Sequence, residues 1–148
     1  MPAATLKILF LCTGNSCRSQ MAEGWTRHLK GQEFEAYSAG VERHGMNPYA
    51  VRVMAEAGVD ISGQSSKLID ELPEVAFDVV VTVCDNANEN CPYFPGAVRR
   101  VHKAFGDPPK LAAELPPGSG EEAVLDVYRR VRDEVRDFVK GMPETLRN

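Results

Sequence analysis

Residues 6–18 read Leu6-Lys7-Ile8-Leu9-Phe10-Leu11-Cys12-Thr13-Gly14-Asn15-Ser16-Cys17-Arg18. The first half is a short apolar run, suited to a strand buried on both faces of a parallel sheet. It ends abruptly in Thr13, Gly14, Asn15 and Ser16, residues that favour a turn. A helix is predicted from Ser19, with Met21, Ala22, Trp25 and Leu29 on one face and Gly31 as its stop. A strand, a small-residue turn and a helix in this order form the first unit of an α/β domain.

The same alternation continues. Phe34 to Ser38 is a second strand candidate. Pro48 opens a helix with Ala50, Val53, Met54 and Ala57 inward and Gly58 as its stop. A short helix is expected over Ser66 to Leu72. Phe77 to Cys84 is the strongest strand candidate because of its β-branched run. Val98 to Val101 is a weaker fourth. Residues 106–120, rich in Pro and Gly, are expected to be a loop. The last helix starts near Glu121, with an apolar stripe of Val124, Val127, Tyr128, Val131, Val135, Phe138 and Val139. The charged run from Arg129 to Asp137 is read as its solvated face. Strands alternating with helices imply a parallel sheet covered on both faces. In such sheets ligands sit at the carboxyl ends of the strands, where Cys12 and Cys84 both fall.

Composition narrows the classes. The chain has 148 residues, 43% hydrophobic and 26% charged, which suits one globular domain over 1–148. No apolar run reaches the roughly 20 residues a membrane helix needs. The N-terminal stretch lacks the form of a secretory signal, so a cytoplasmic location is expected. A net charge of −4 gives no basic field for nucleic acid. A small anion could still be held by a local pocket.

Four cysteines, Cys12, Cys17, Cys84 and Cys91, call for a use. Structural disulfides fit small secreted chains better than this one. Structural zinc sites pair cysteines two to four residues apart, and these gaps are wider. No metal site is therefore expected, and His28, His44 and His102 are read as exposed or capping. Trp25 is read as core. Catalysis is the favoured use of the thiols.

Cys12 and Arg18 are separated by five residues. That spacing alone is common by chance and fits a buried strand-end cysteine beside a surface arginine. Its place between a strand and a helix raises it. A curled loop at a helix N-terminus aims N–H groups at an anion. Arg18 can grip a tetrahedral oxyanion through two donors, as lysine cannot. The same field favours Cys12 as a thiolate, to which Ser19 could donate a hydrogen bond. The chemistry implied is attack of sulfur on a bound tetrahedral oxyanion. The residues expected to hold the anion are Thr13, Gly14, Asn15, Ser16, Cys17, Arg18 and Ser19.

The run Cys12 to Gly24, C-T-G-N-S-C-R-S-Q-M-A-E-G, resembles the active-site loop of the low-molecular-weight protein tyrosine phosphatase superfamily. More closely it resembles the thioredoxin-coupled arsenate reductases built on that fold. Segments 37–40, 44–48, 81–84, 90–92 and 106–108 agree. The resemblance implies a three-layer α/β/α fold with a four-stranded parallel sheet. It implies Cys12 as nucleophile, Arg18 as oxyanion binder and Asp107 as the acid that protonates the leaving oxygen. It further implies a relay from Cys12 to Cys84 to Cys91, each step a thiol–disulfide exchange. No bound cofactor is implied; the electrons come from thioredoxin. The expected partners are arsenate, with phosphate or sulfate competing, and thioredoxin, the chain acting as a monomer. The alternative activity is hydrolysis of phosphomonoesters through a Cys12 phosphocysteine.

Seven positions separate Cys84 from Cys91, roughly 10 Å of rise in a helix, whereas a disulfide needs Cα atoms within about 7 Å. If 85–91 are helical when reduced, they must partly unwind on oxidation. Three asparagines and an aspartate make such a helix weak. Some members hold potassium near positions matching Asn15, Glu23 and Ser38. Lys67 stands where an aspartate ligand is expected, so its ammonium is expected to replace the ion. Pro109-Lys110 replaces the paired tyrosines common in the phosphatases.

Overall fold

A computed structural model describes residues 5–84, 94 and 98–147. Four strands, β1 (Leu6–Cys12), β2 (Phe34–Gly40), β3 (Val79–Thr82) and β4 (Arg99–His102), form one parallel sheet in the order β2-β1-β3-β4. β1 is therefore central, and its last five residues are buried. That explains its unbroken apolar run, since a central parallel strand meets protein on both sides. β4 lies at the edge and buries only Val101. The chain reverses direction across the sheet between β1 and β3, so the loop leaving β1 occupies the switch point where such sheets bind ligands.

Alternation along β1 divides the core. Ile8, Phe10 and Cys12 face a large cluster with Met21, Trp25, Met54, Tyr128 and Val135. These come from α1 (Arg18–Lys30), α2 (Pro48–Glu56) and α4 (Gly120–Lys140). Leu9 and Leu11 face a smaller cluster with Ala39, Phe77 and Val80. Among the described residues this second face is covered by a short 3-10 helix, Ile69–Glu71, and its flanks, with Phe94 and Val98. Each fully buried Leu, Ile or Phe contributes roughly 1.5–3 kcal/mol. The expected four-stranded parallel α/β sheet is present, and among the described residues its α-helices lie on one face.

Several expectations need correction. The expected loop 106–120 contains α3 (Pro108–Ala113). Prolines at its first positions pre-set φ, and Lys-Leu-Ala-Ala continues the turn. The helix expected over Ser66–Leu72 shrinks to the 3-10 turn because tertiary bonds claim its backbone. Lys67 N–H donates to Asn15 Oδ1 at 2.7 Å, and Lys67 C=O accepts from Gly40 N–H at 2.9 Å. β3 is shorter than 77–84, although Asp78 and Val83 N–H still bond to β1 carbonyls at 2.8 and 2.9 Å. Ala57 is exposed just beyond α2, and Gly58 follows at φ +86° as the stop. On α4 Leu125 is buried and Val124 only partly so.

Among the described residues, no helix is long and apolar enough to cross a membrane. Nor do they hold a group of three or more His, Cys, Asp or Glu that could bind a metal ion.

Candidate active site

Cys12 closes β1 and Arg18 opens α1, so residues 13–17 must turn the chain within one short curl. Asn15 makes the turn at φ +48°, a left-handed conformation that asparagine tolerates better than most residues. The loop's carbonyls are tied outward. Thr13 C=O accepts from Val41 and Glu42 N–H, each at 3.0 Å. Gly14 C=O accepts from His44 N–H at 3.0 Å and Ser66 Oγ at 2.9 Å. Ser16 C=O accepts from Asn47 N–H at 3.2 Å. The N–H and C=O of one trans peptide point in opposite directions, so the N–H side of the loop is left facing the cleft. The positive end of α1 adds to that field.

The cleft has a volume of about 300 Å³ and is lined by Cys12, Thr13, Gly14, Ser16, Cys17, Arg18, His44, Asp107 and Pro109. The structure thus assembles Cys12, Arg18 and Asp107 from three distant stretches of chain. Of the expected anion-holding residues, Asn15 and Ser19 stand behind the wall. Both are fully buried. Ser19 Oγ lies 2.9 Å from Cys12 Sγ and accepts from Asn15 Nδ2 at 2.9 Å. With that lone pair taken, the Ser19 proton is free to point at sulfur and stabilise a thiolate.

Arg18 is 4% exposed. Its Nη1 donates to Phe105 C=O at 3.2 Å, and its Nη2 lies 3.8 Å from Asp107 Oδ1. Asp107 sits at the N-cap of α3, but its carboxylate does not cap the helix. It faces the cleft from a loop that Phe105 anchors to the arginine. Cys17 is a free thiol whose titration is pushed far up, first by burial and then by the charge of Cys12, with Arg18 opposing. Burial thus keeps Cys17 protonated.

Cys84 is fully buried two residues beyond β3, at the same sheet end as Cys12, and is held in a disulfide. Cys12 and Cys17 are free. Cys91 and the segment expected to rearrange lie outside the described residues.

At the expected potassium position, buried Glu23 accepts from Ser38 Oγ at 2.6 Å and pairs with Arg27 at 2.7 Å. Lys67 Nζ approaches the same carboxylate at 4.0 Å.

His44 is exposed, as expected, but it also lines the cleft, a role that sequence reasoning did not assign. Its ring packs against Gly14 and lines the cleft, with Nε2 2.9 Å from Glu42 Oε1. Pro109 and the Phe105 carbonyl were also missed. The signal for His44 was that 44–48 resembles the family; Phe105 and Pro109 flank the resembling segment 106–108, and Pro109 was marked only by standing where the phosphatases have a tyrosine.

Comparison with known proteins agrees with this geometry. Residues 7–148 match the family described as low molecular weight phosphotyrosine protein phosphatase. An arsenate reductase of Bacillus licheniformis is 48% identical over 140 residues, covering 93% of this chain and 95% of that protein. One from Halalkalibacterium halodurans is 51% identical over 138 residues, with the same coverage. A solved arsenate reductase in a phosphate-binding state superposes with a TM-score of 0.72 and 32% identity, covering 97% of this chain and all of the other.

Proposed function

The chain belongs to the low molecular weight phosphotyrosine protein phosphatase family, and from that premise we propose that it reduces arsenate to arsenite through a three-cysteine relay. Residues 1–148 act as one domain in this reading. Arsenate enters the cleft as an oxyanion held by loop N–H groups and Arg18. The Cys12 thiolate attacks arsenic, and an oxygen leaves as water with a proton from Asp107. Cys84, as a thiolate, then attacks Cys12 sulfur. The S–As bond breaks, its electron pair leaves with arsenic, and arsenite departs. Cys91 next attacks Cys84, releasing the Cys12 thiolate and leaving a Cys84–Cys91 disulfide. The dithiol of thioredoxin reduces it and restores the cycle. Arsenic gains two electrons, and two thiols of thioredoxin lose them.

The observation that carries this reading is the contrast in thiol states at one sheet end. Cys12 is free beside Arg18, while Cys84 is in a disulfide. Hydrolysis of a phosphomonoester needs Cys12, Arg18 and Asp107, and has no use for Cys84. A weak phosphatase activity is expected from the shared loop.

The test is arsenate-dependent NADPH oxidation with thioredoxin and thioredoxin reductase. Wild type should turn over. Cys91→Ser should stop after one turnover yet still release arsenite. Absence of wild-type turnover, beside robust p-nitrophenyl phosphate hydrolysis indifferent to Cys84 and Cys91, would make the chain a phosphatase.

A further inference from the structure

Gln20 lies on the first turn of α1, fully buried, and touches neither the cleft nor Cys12. It is nonetheless the centre of a chain of side-chain amides that ends on the Cys12 sulfur. Gln20 Nε2 lies 3.0 Å from Asn15 C=O, 2.9 Å from Asn15 Oδ1 and 2.9 Å from Ser65 C=O. Gln20 Oε1 accepts from Gln64 Nε2 at 2.8 Å. Backbone carbonyls can only accept, so the nitrogen of Gln20 must face Asn15 and Ser65.

This fixes each amide in turn. Asn15 Oδ1 receives two donors, Gln20 Nε2 and the Lys67 N–H. Asn15 Nδ2 therefore faces Ser19 and donates to it. Ser19 Oγ, already accepting, turns its proton toward Cys12. Reversing the Asn15 amide would set its NH₂ against two donors and offer Ser19 an acceptor, drawing the serine proton away from sulfur. The Asn15 carbonyl, in a left-handed turn, also takes Gln20 Nε2 as a donor, so the same amide holds the loop's strained residue in place.

We propose that Gln20 is a positioning residue that sets the direction of the hydrogen bond reaching Cys12, and so keeps the nucleophile ionised. The inference rests on Cys12 being the nucleophile, as read above. Gln20→Met removes the donor at similar size. Gln20→Glu keeps the shape but sets a carboxylate against three acceptor oxygens.

The test is the pH profile of Cys12 alkylation by iodoacetamide, read at that residue by peptide mass spectrometry, which needs no arsenate. A hydrogen bond to a charged group is worth about 1.5–3 kcal/mol, so losing it should slow alkylation at pH 7 about tenfold or more. The Gln20→Met profile should move to higher pH, and that of Gln20→Glu at least as far. Ser19→Ala should show the same displacement, and adding Gln20→Met to it should slow the reaction no further. Thermal melting and inorganic phosphate binding identify folded variants. If Gln20→Met does not fold, Gln64→Leu, which removes the donor to Gln20 Oε1 and to the Gln20 carbonyl but leaves Gln20 Nε2 in place, should displace the profile in the same direction by less. A folded Gln20→Met whose profile superimposes on wild type, or whose effect adds to that of Ser19→Ala, overturns the proposal. A wild-type Cys12 that alkylates no faster at pH 7 than an ordinary thiol overturns instead the reading of Cys12 as nucleophile.

Discussion

The guanidinium of Arg18 donates from Nη1 to the backbone carbonyl of Phe105 at 3.2 Å, across 87 residues of chain. The arginine of the anion loop and the segment carrying Asp107 are thereby one mechanical unit. Its second nitrogen lies 3.8 Å from the Asp107 carboxylate. In the proposed reaction the same guanidinium would touch both the bound anion and the acid that protonates the leaving oxygen.

Arg18→Lys retains the charge and loses the fork. A lysine cannot serve Phe105, Asp107 and an oxyanion in fixed geometry. Arsenate kcat/KM should fall by roughly a hundredfold or more, and inorganic phosphate affinity should fall with it. Steady-state kinetics and phosphate titration check both arms.

Asp107→Asn keeps the size and removes the acid. General-acid contributions are typically about 10²–10⁴-fold. The rate of arsenite release in a single turnover should drop within that range, while phosphate still binds. A single-turnover rate equal to wild type would remove Asp107 from the reaction.

Gly40→Ala tests how closely β2 presses on the anion loop. A Cβ there would meet Thr13 O at 2.6 Å, Asn15 N at 2.9 Å and Cys12 O at 2.9 Å, all backbone atoms with little room to give. Overpacking of this kind costs roughly 1–3 kcal/mol. The melting temperature should fall by several degrees and KM for arsenate should rise. Gly63→Ala, at a position with open space around it, is the control.

Potassium should not stabilise the protein. Lys67 Nζ already stands 4.0 Å from the Glu23 carboxylate that would help hold the ion. A cation bound at a hundred times its Kd would add about 2.7 kcal/mol and raise the melting temperature by several degrees. Melting curves in KCl and NaCl at equal ionic strength should coincide.

Alkaline pH should erode stability through Cys17. Burial raises its titration in the folded state well above the ordinary value of 9.0, so the fold favours the protonated thiol. The resulting stability is fully present below pH 9. It is lost as pH rises beyond that, because the unfolded chain then releases a proton that the folded one retains. Tyr128, raised from 10.0 to about 12 by burial, acts in the same direction from pH 10 upward. Cys17→Ala should flatten the fall in melting temperature between pH 8.5 and 10 relative to wild type.

Much of this was legible from residues 6–18. β1 has the bounds its apolar run suggested, and α1 begins one residue before expectation. Pattern could find these because local signals and tertiary demands agree there. Pattern failed where tertiary bonds decide. Ser66 and Lys67 look helical, but their backbone and side-chain groups are spent on the anion loop. Pro108 and Pro109 look like a loop, yet they seed α3. Cys12, Arg18 and Asp107 were recoverable through the family-like motif. His44 was not, because its importance lies in packing on Gly14, a contact between two loops that no periodicity records.

A loop whose carbonyls are all moored to neighbouring segments cannot reshape itself around its guest. It will take phosphate about as readily as arsenate, since the two differ little in shape or charge. Selection must then come after capture. In the proposed relay only arsenic can accept the electron pair that departs when a second thiol strikes Cys12, so phosphate would enter, wait and leave unchanged. The protein is choosy by reactivity and indifferent by fit, and its working rate in a cell will follow the ratio of the two anions more closely than the amount of arsenate alone.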